Sequence, residues 1–232
     1  NGVVLMYGIY VHLYGTITSG NGVVHTYEIN VHLYDMKLPV KQNHDSPRDR
    51  IIAATLRLIG DEGIDAVTHR RVAKLAGVSP GTTTHHFSGR AALLRESFIG
   101  YLGWGDKLFD NLVSAAEQEE DIDVGGVRRV LVAMIKREFA DASLMRAEHE
   151  LLLHASNDEE LAKVVIAWQA RAIGGIAALL ERAGVQRPTE SARTLLNFIR
   201  GFELERLLNP RLSVKEFDRR ITPLLQGLRG TD

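Results

Sequence analysis

The chain of 232 residues contains no cysteine. That excludes disulfides, thiolate zinc sites and cysteine nucleophiles together, and it agrees with a reducing compartment. Uninterrupted apolar runs are missing too, since none approaches the roughly 18 to 20 residues of a membrane span. The N-terminus also lacks the basic, apolar, small-residue order of a secretory signal. A cytoplasmic protein without a membrane partner is therefore expected. Charge of one sign is absent, the net value being -1, so a nucleic-acid partner must be argued from local charge and a motif. What is present is a hydrophobic share of 45%, enough for one substantial core or two small ones without a metal or disulfide staple.

The first residues differ from the rest. NGVVLMYGIYVHLY at 1–14 recurs as NGVVHTYEINVHLY at 21–34. Val3, Leu5, Tyr7, Ile9, Val11 and Leu13 alternate as in a half-buried strand, and Tyr27, Ile29, Val31 and Leu33 continue the period. Gly15, Ser19, Gly20, Asn21 and Gly22 are turn formers between the copies, so a β-hairpin is predicted. Met36 followed by Lys37 reads as a start, which makes 1–35 an upstream extension and sets 1–44 apart as a non-native hairpin or disordered segment. A sharper alternative is translated upstream DNA, because codon degeneracy lets Val-His-Leu-Tyr be written as an inverted repeat.

From Ser46 the pattern is helical to the end. Ser46 and Pro47 supply an N-cap and first-turn proline, and Ile51, Ala54, Leu58 and Ile59 form a stripe that Gly60 and Gly63 terminate. Thr68 caps a second helix with Val72, Leu75 and Ala76 inward, stopped by Gly77. Ser79 and Pro80 open a short third helix through Phe87, and Ser88 caps a fourth through Leu94, Phe98, Tyr101 and Leu102. Further helices centre on 124–139, 143–154, 158–183, 189–208 and 213–228. Ser156 with Glu159, and Ser213 with Glu216, have capping-box spacing.

The segment THRRVAKLAGVSPGTTTHHF at 68–87 has a helix-turn-helix layout. Val72, Leu75, Ala76 and Val78 pack the two helices, and Gly77 can take the left-handed conformation that reverses the chain. Thr82, Thr83, Thr84, His85 and His86 are read as a polar surface free to enter a major groove, where hydroxyls, methyls and imidazoles can meet base edges. GIDAVTHRRVAKLAGVSPGTTTHHFSGRAALL at 63–94 resembles the signature of the TetR family of transcriptional regulators. The resemblance implies a three-helix DNA-binding domain at 45–92, an all-helical ligand-binding and dimerisation domain at 93–232, and hence an all-α fold.

By the same resemblance Thr68, His69 and Arg70 touch phosphate, Ser79, Pro80, Gly81, Thr82, Thr83, Thr84, His85 and His86 form the recognition helix, and Arg90 stands where a backbone-holding lysine is usual. Thr84 departs from the family's tyrosine; His85 or His86 substitutes, making affinity depend on pH because imidazole changes charge near neutrality. Between Asp45 and Glu96, eight basic residues (Arg48, Arg50, Arg57, Arg70, Arg71, Lys74, Arg90, Arg95) face six acidic ones, a mildly positive balance for contacts that position the protein on DNA.

In the body, Val214, Phe217, Ile221, Leu224 and Leu228 form a seam-like stripe, and Pro223 should kink their helix. Leu195, Phe198, Ile199, Phe202, Phe217, Ile221 and Leu224 are expected at a twofold dimer interface, since reading two half-sites demands a twofold axis. Bulky residues between reader and seam can line a pocket; Trp104, Met134, His149, Trp168 and Arg171 are the candidates for contact with a small-molecule effector. The expected function is a ligand-responsive repressor, a homodimer on a palindromic double-stranded operator, with no cofactor, metal or catalytic residue. Two rivals are a metal-dependent helical enzyme built on Glu148, His149, Glu150 and His154, where Glu150 and His154 share a face, and a protein-binding adaptor using the seam.

Overall fold

Capping chemistry sets most helix boundaries in the computed structural model, which describes residues 3–6, 9–14, 28–32, 46–117 and 122–228. Ser46 accepts the Asp49 N–H at the start of α1 (Pro47–Glu62), with proline in its first turn. A 3-10 turn, Ile64–Ala66, leads to α2 (His69–Ala76), capped by Thr68, and to α3 (Pro80–His86), capped by Ser79. The long α4 (Arg90–Glu117) follows, then α5 (Val124–Glu138), α6 (Ala142–Ala155), α7 (Glu159–Arg182), α8 (Pro188–Leu208) and α9 (Val214–Gly227). Ser213 caps α9 as expected, whereas α7 is capped by Asp158 rather than Ser156. Helix α9 runs on through Pro223.

Gly60 does not terminate α1. It lies within the helix and is buried, and a methyl group there would overlap the Ser143 carbonyl and hydroxyl oxygens, so its smallness lets α6 press against α1. Gly63, at φ 90°, ends the helix.

Two apolar clusters organise residues 46–228. One joins α1, α2 and the start of α4 (Leu93, Leu94, Phe98, Leu102) to α6 and the start of α7 through Ala147, Leu151, Ala155, Leu161 and Val165. The other joins α5, the second half of α7, α8 and α9 around Leu131, Ile176, Leu180, Leu195 and Phe217. The reader's core is thus continuous with the body, and contacts group 39–232 as one unit. By length and composition α7 could cross a membrane, with Lys163 and Arg171 interrupting its apolar run; Leu161, Val165, Ile173, Ile176, Leu179 and Leu180 are buried in these two clusters.

Among the described residues of the N-terminal unit, 1–38, three antiparallel strands, β1 (Val3–Met6), β2 (Ile9–Tyr14) and β3 (Glu28–His32), pair in the order β1-β2-β3. The alternating run 3–13 forms two paired strands, Met6 opposite Ile9, rather than one. The expected hairpin corresponds to β2 and β3, with Tyr14 opposite Glu28. Its turn formers and Met36 lie outside the described residues.

Candidate nucleic-acid interface and effector cavity

The turn between α2 and α3 is built by Gly77, in the left-handed region at φ 63°, ψ 38°. The Val78 N–H donates to the Ala73 carbonyl at 3.0 Å, satisfying an end carbonyl of α2. The Arg50 guanidinium reaches the Ala76 carbonyl at 3.4 Å. Val72, Ala73, Ala76 and Phe87 are buried beneath the motif, while Leu75 is exposed rather than inward.

On α3 the structure corrects the sequence reading. Thr83 is 0% exposed, and its Oγ1 has no hydrogen-bond partner among the described residues. It cannot meet a base edge. The physical reason is helical period: Thr83 lies one turn before Phe87 and shares its inward face, so even a helix without apolar side chains must bury one residue to pack. Ser79, Pro80, Gly81, Thr84 and His85 are exposed, and Thr82 and His86 are half-buried. Ser79 Oγ accepts the Thr82 N–H at 3.0 Å and sits 2.9 Å from the Thr82 hydroxyl. The Thr84 hydroxyl donates to the Gly81 carbonyl at 3.1 Å.

Around the motif, Thr68 and Arg70 are exposed, and His69 is half-buried with Nε2 3.1 Å from the Phe87 carbonyl. Arg71 pairs with Glu62. Arg90 is engaged at home: Nε donates to Val67 O at 3.2 Å, and Nη2 to Ile64 O at 2.7 Å. From the other side Glu150 of α6 accepts the Ile64 N–H at 2.6 Å. The turn leading into α2 is therefore held between α4 and α6. Further braces join α6 to α1, with Arg57 on Asp141 at 2.9 Å and Arg146 on the Gly60 carbonyl at 3.1 Å, and Arg95 of α4 meets Asp158 at 2.7 Å.

Beyond this interface lies a cavity of about 80 Å³, partly open, walled by α4, α5, α6, α7 and α8. Of the expected ligand residues, Met134 and Trp168 line it. Trp104 packs against the reader's cluster, and Arg171 is exposed beside Asp110 at 3.4 Å. Neither is among the lining residues. His149 places Nδ1 2.9 Å from the Met145 carbonyl and Nε2 3.9 Å from Glu203, just behind the wall.

The polar lining is Tyr101, Glu138, Glu148, Arg200 and Glu203, of which sequence reasoning missed Glu138, Arg200 and Glu203 and took Glu148 only as a metal-ligand candidate. Only the fold brings these together, from four helices. The Tyr101 hydroxyl donates to Glu148 at 2.6 Å, Arg200 lies 3.8 Å from Glu148, and its guanidinium covers the Trp168 ring at 5.0 Å. Burial, then repulsion from Glu148, pushes the Glu138 carboxyl up to about 7, and burial followed by Glu148 and Glu138 raises Glu203 well above the carboxylate range. Burial and Glu148 likewise raise the Tyr101 phenol. Among the described residues, no group of three His, Asp or Glu side chains could hold a metal ion.

Most of the expected dimer residues are core residues. Leu195, Ile199, Phe202, Phe217 and Ile221 are buried in the subunit's own cluster. Phe198 packs there against Phe202 and Phe217 at 6.2 and 5.8 Å. The α9 stripe is consumed by packing on α5, which claims the most apolar face first. Leu224 is 39% exposed, and Leu204 and Leu208 of α8 are 51% and 83% exposed.

Residues 51–97 match the family described as bacterial regulatory proteins, tetR family, and 123–230 match the tetracyclin repressor-like C-terminal domain. The regulator BetI of Rhizobium meliloti is 27% identical over 154 residues, covering 65% of this chain and 74% of its own length. The multidrug binding protein EbrR, solved with imidazole, is 29% identical with a TM-score of 0.56, covering 81% of this chain and 97% of its own. A TetR-family regulator from Mesorhizobium loti superposes with a TM-score of 0.68 at 17% identity over 78% of this chain and 94% of its own. With the helix-turn-helix geometry in front and the helical body behind it, the chain belongs to the TetR family of transcriptional regulators.

Proposed function

We propose that this regulator is a repressor which binds a palindromic operator as a homodimer and releases it when a small molecule enters the cavity. The observation that carries the reading is the double duty of α6. One helix contributes Glu148 to the cavity wall and, through Asp141, Arg146 and Glu150, grips α1 and the turn before α2. A ligand that fits better with α6 displaced therefore favours a displaced reader, and lowers DNA affinity by the same free energy it gains. The resemblance to a multidrug binding protein supports a cavity for small organic molecules.

On DNA, Ser79, Pro80, Gly81, Thr84 and His85 are the residues of α3 available to base edges, with Thr82 and His86 at its margins. Thr68 and Arg70 supply phosphate contacts. Arg90 acts chiefly by holding the turn that positions Thr68, with its remaining guanidinium donors free to reach the backbone. The dimer seam is assigned to the exposed faces of α8 and α9, where Gly201, Leu204, Leu208 and Leu224 stand outside the subunit core. The protein acts by binding alone, in the cytoplasm, without catalysis.

Selecting fragments from random DNA with the purified protein tests this reading. The expected product is a palindrome whose half-sites are about 34 to 36 Å apart, one turn of duplex. Fragments without a shared motif, or with a single asymmetric site, refute it.

A further inference from the structure

We propose that the effector is an organic cation, an amine or amidine with a compact apolar body, whose charged nitrogen binds between Glu203 and Glu138. This rests on the reading of the cavity as the effector site and adds the chemical class. Three carboxylates and two guanidiniums face the space: Glu138 and Arg137 from α5, Glu148 from α6, Arg200 and Glu203 from α8. Tyr101 of α4 adds a hydroxyl, and His149 lies behind Glu203.

These charges are not equally matched. Glu148 takes the Tyr101 hydroxyl and faces Arg200, while Arg200 is itself laid on Trp168. Glu203 is only 5% exposed, borders the cavity, and has no hydrogen-bond donor among the described residues; the imidazole of His149 lies 3.9 Å away, and Arg200 acts on it from farther off. Glu138 has Arg137 no closer than 3.9 Å. A buried carboxylate without a donor is costly, and a cation arriving between Glu203 and the half-buried Glu138 meets both at once. The lining beside them is apolar, with Met134, Ala172, Leu196 and Ile199, which suits the body of such a molecule. An anion would have to detach Arg200 from Glu148 and Trp168 to find a cationic partner.

The elevated proton affinities of Glu138 and Glu203 agree with this arrangement. A bound cation stabilises the ionised forms, so binding at pH 6.5 releases protons.

The experiment uses three probes of one shape, benzamidinium, benzamide and benzoate. Binding is measured by calorimetry on the full chain in buffers of different ionisation enthalpy, and operator affinity by fluorescence anisotropy. Benzamidinium should bind with proton release and at least about tenfold more tightly than the other two. Glu203→Gln should reduce its affinity on the order of tenfold, the loss of one charge-assisted bond, with Glu138→Gln as a second variant of the same shape. Tighter binding of benzoate, no binding of any probe, or benzamidinium binding untouched by both substitutions overturns the cation assignment. Charge-selective, Glu203-dependent binding that leaves operator affinity unchanged upholds the cation site while refuting the effector reading.

Discussion

Replacing Thr83 by valine separates packing from recognition within one short helix. The side chain is wholly buried, and its hydroxyl has no partner among the described residues. Valine has nearly the same shape and presents a methyl group to the same surroundings. Leaving a buried polar group unsatisfied costs about 1–3 kcal/mol, and part of that is recovered when the hydroxyl is removed. A gain of about 1 kcal/mol is expected, raising the melting temperature by roughly 2–4 °C for a chain of this size. Because Thr83 faces Phe87 and not solvent, the operator sequence selected from random DNA should be unchanged. His85→Ala, on the exposed face, should leave stability within about 0.5 kcal/mol and relax one base position by about 1–3 kcal/mol. Calorimetric melting and DNA selection on both variants decide the matter. If Thr83→Val lost base discrimination at full stability, or His85→Ala left the selected sequence intact, the assignment of inward and outward faces would be wrong.

Gly60→Ala places a methyl group against the Ser143 backbone and should cost about 1–3 kcal/mol as overpacking; it should also change operator affinity, read by anisotropy, because α1 and α6 must separate. Stability should fall as pH rises from about 4.5 to about 7, since Glu138 binds its proton more tightly folded than unfolded. The contribution is on the order of 3 kcal/mol, full below the unfolded value and lost once pH passes the folded one, and Glu138→Gln should flatten that slope in urea titrations across pH. Leu208→Glu should turn a dimer into a monomer in sedimentation and weaken operator binding steeply without lowering helix content, whereas Phe217→Glu, in the core, should unfold the chain.

The reader was legible in the sequence because its signals are local. Ser46, Thr68 and Ser79 sit next to the N–H groups they cap, and Gly77 is needed where the chain reverses. Each of these acts within a few residues, so adjacency in the chain is adjacency in space. The misreadings at Thr83 and Leu75 have one cause: on a short helix, a polar residue can face inward and an apolar one outward, and only the packing of α1 against the motif fixes which.

The body shows the opposite balance. Its helices and most of its caps follow from composition and spacing, yet periodicity reveals that a helix has an apolar face without revealing what covers it. Phe217 and Ile221 could serve a partner subunit or the subunit's own α5, and burial against α5 decided for the latter. The carboxylates of Glu138, Glu148 and Glu203 lie on three helices and become a site only when α5, α6 and α8 converge. Sequence alone thus determined the helices, the reversal at Gly77 and the family, all of them short-range or contiguous properties. Tertiary structure alone decided which faces are spent on the core, which charges share the cavity and how α6 ties that cavity to the reader, because each depends on side chains brought together from distant parts of the chain.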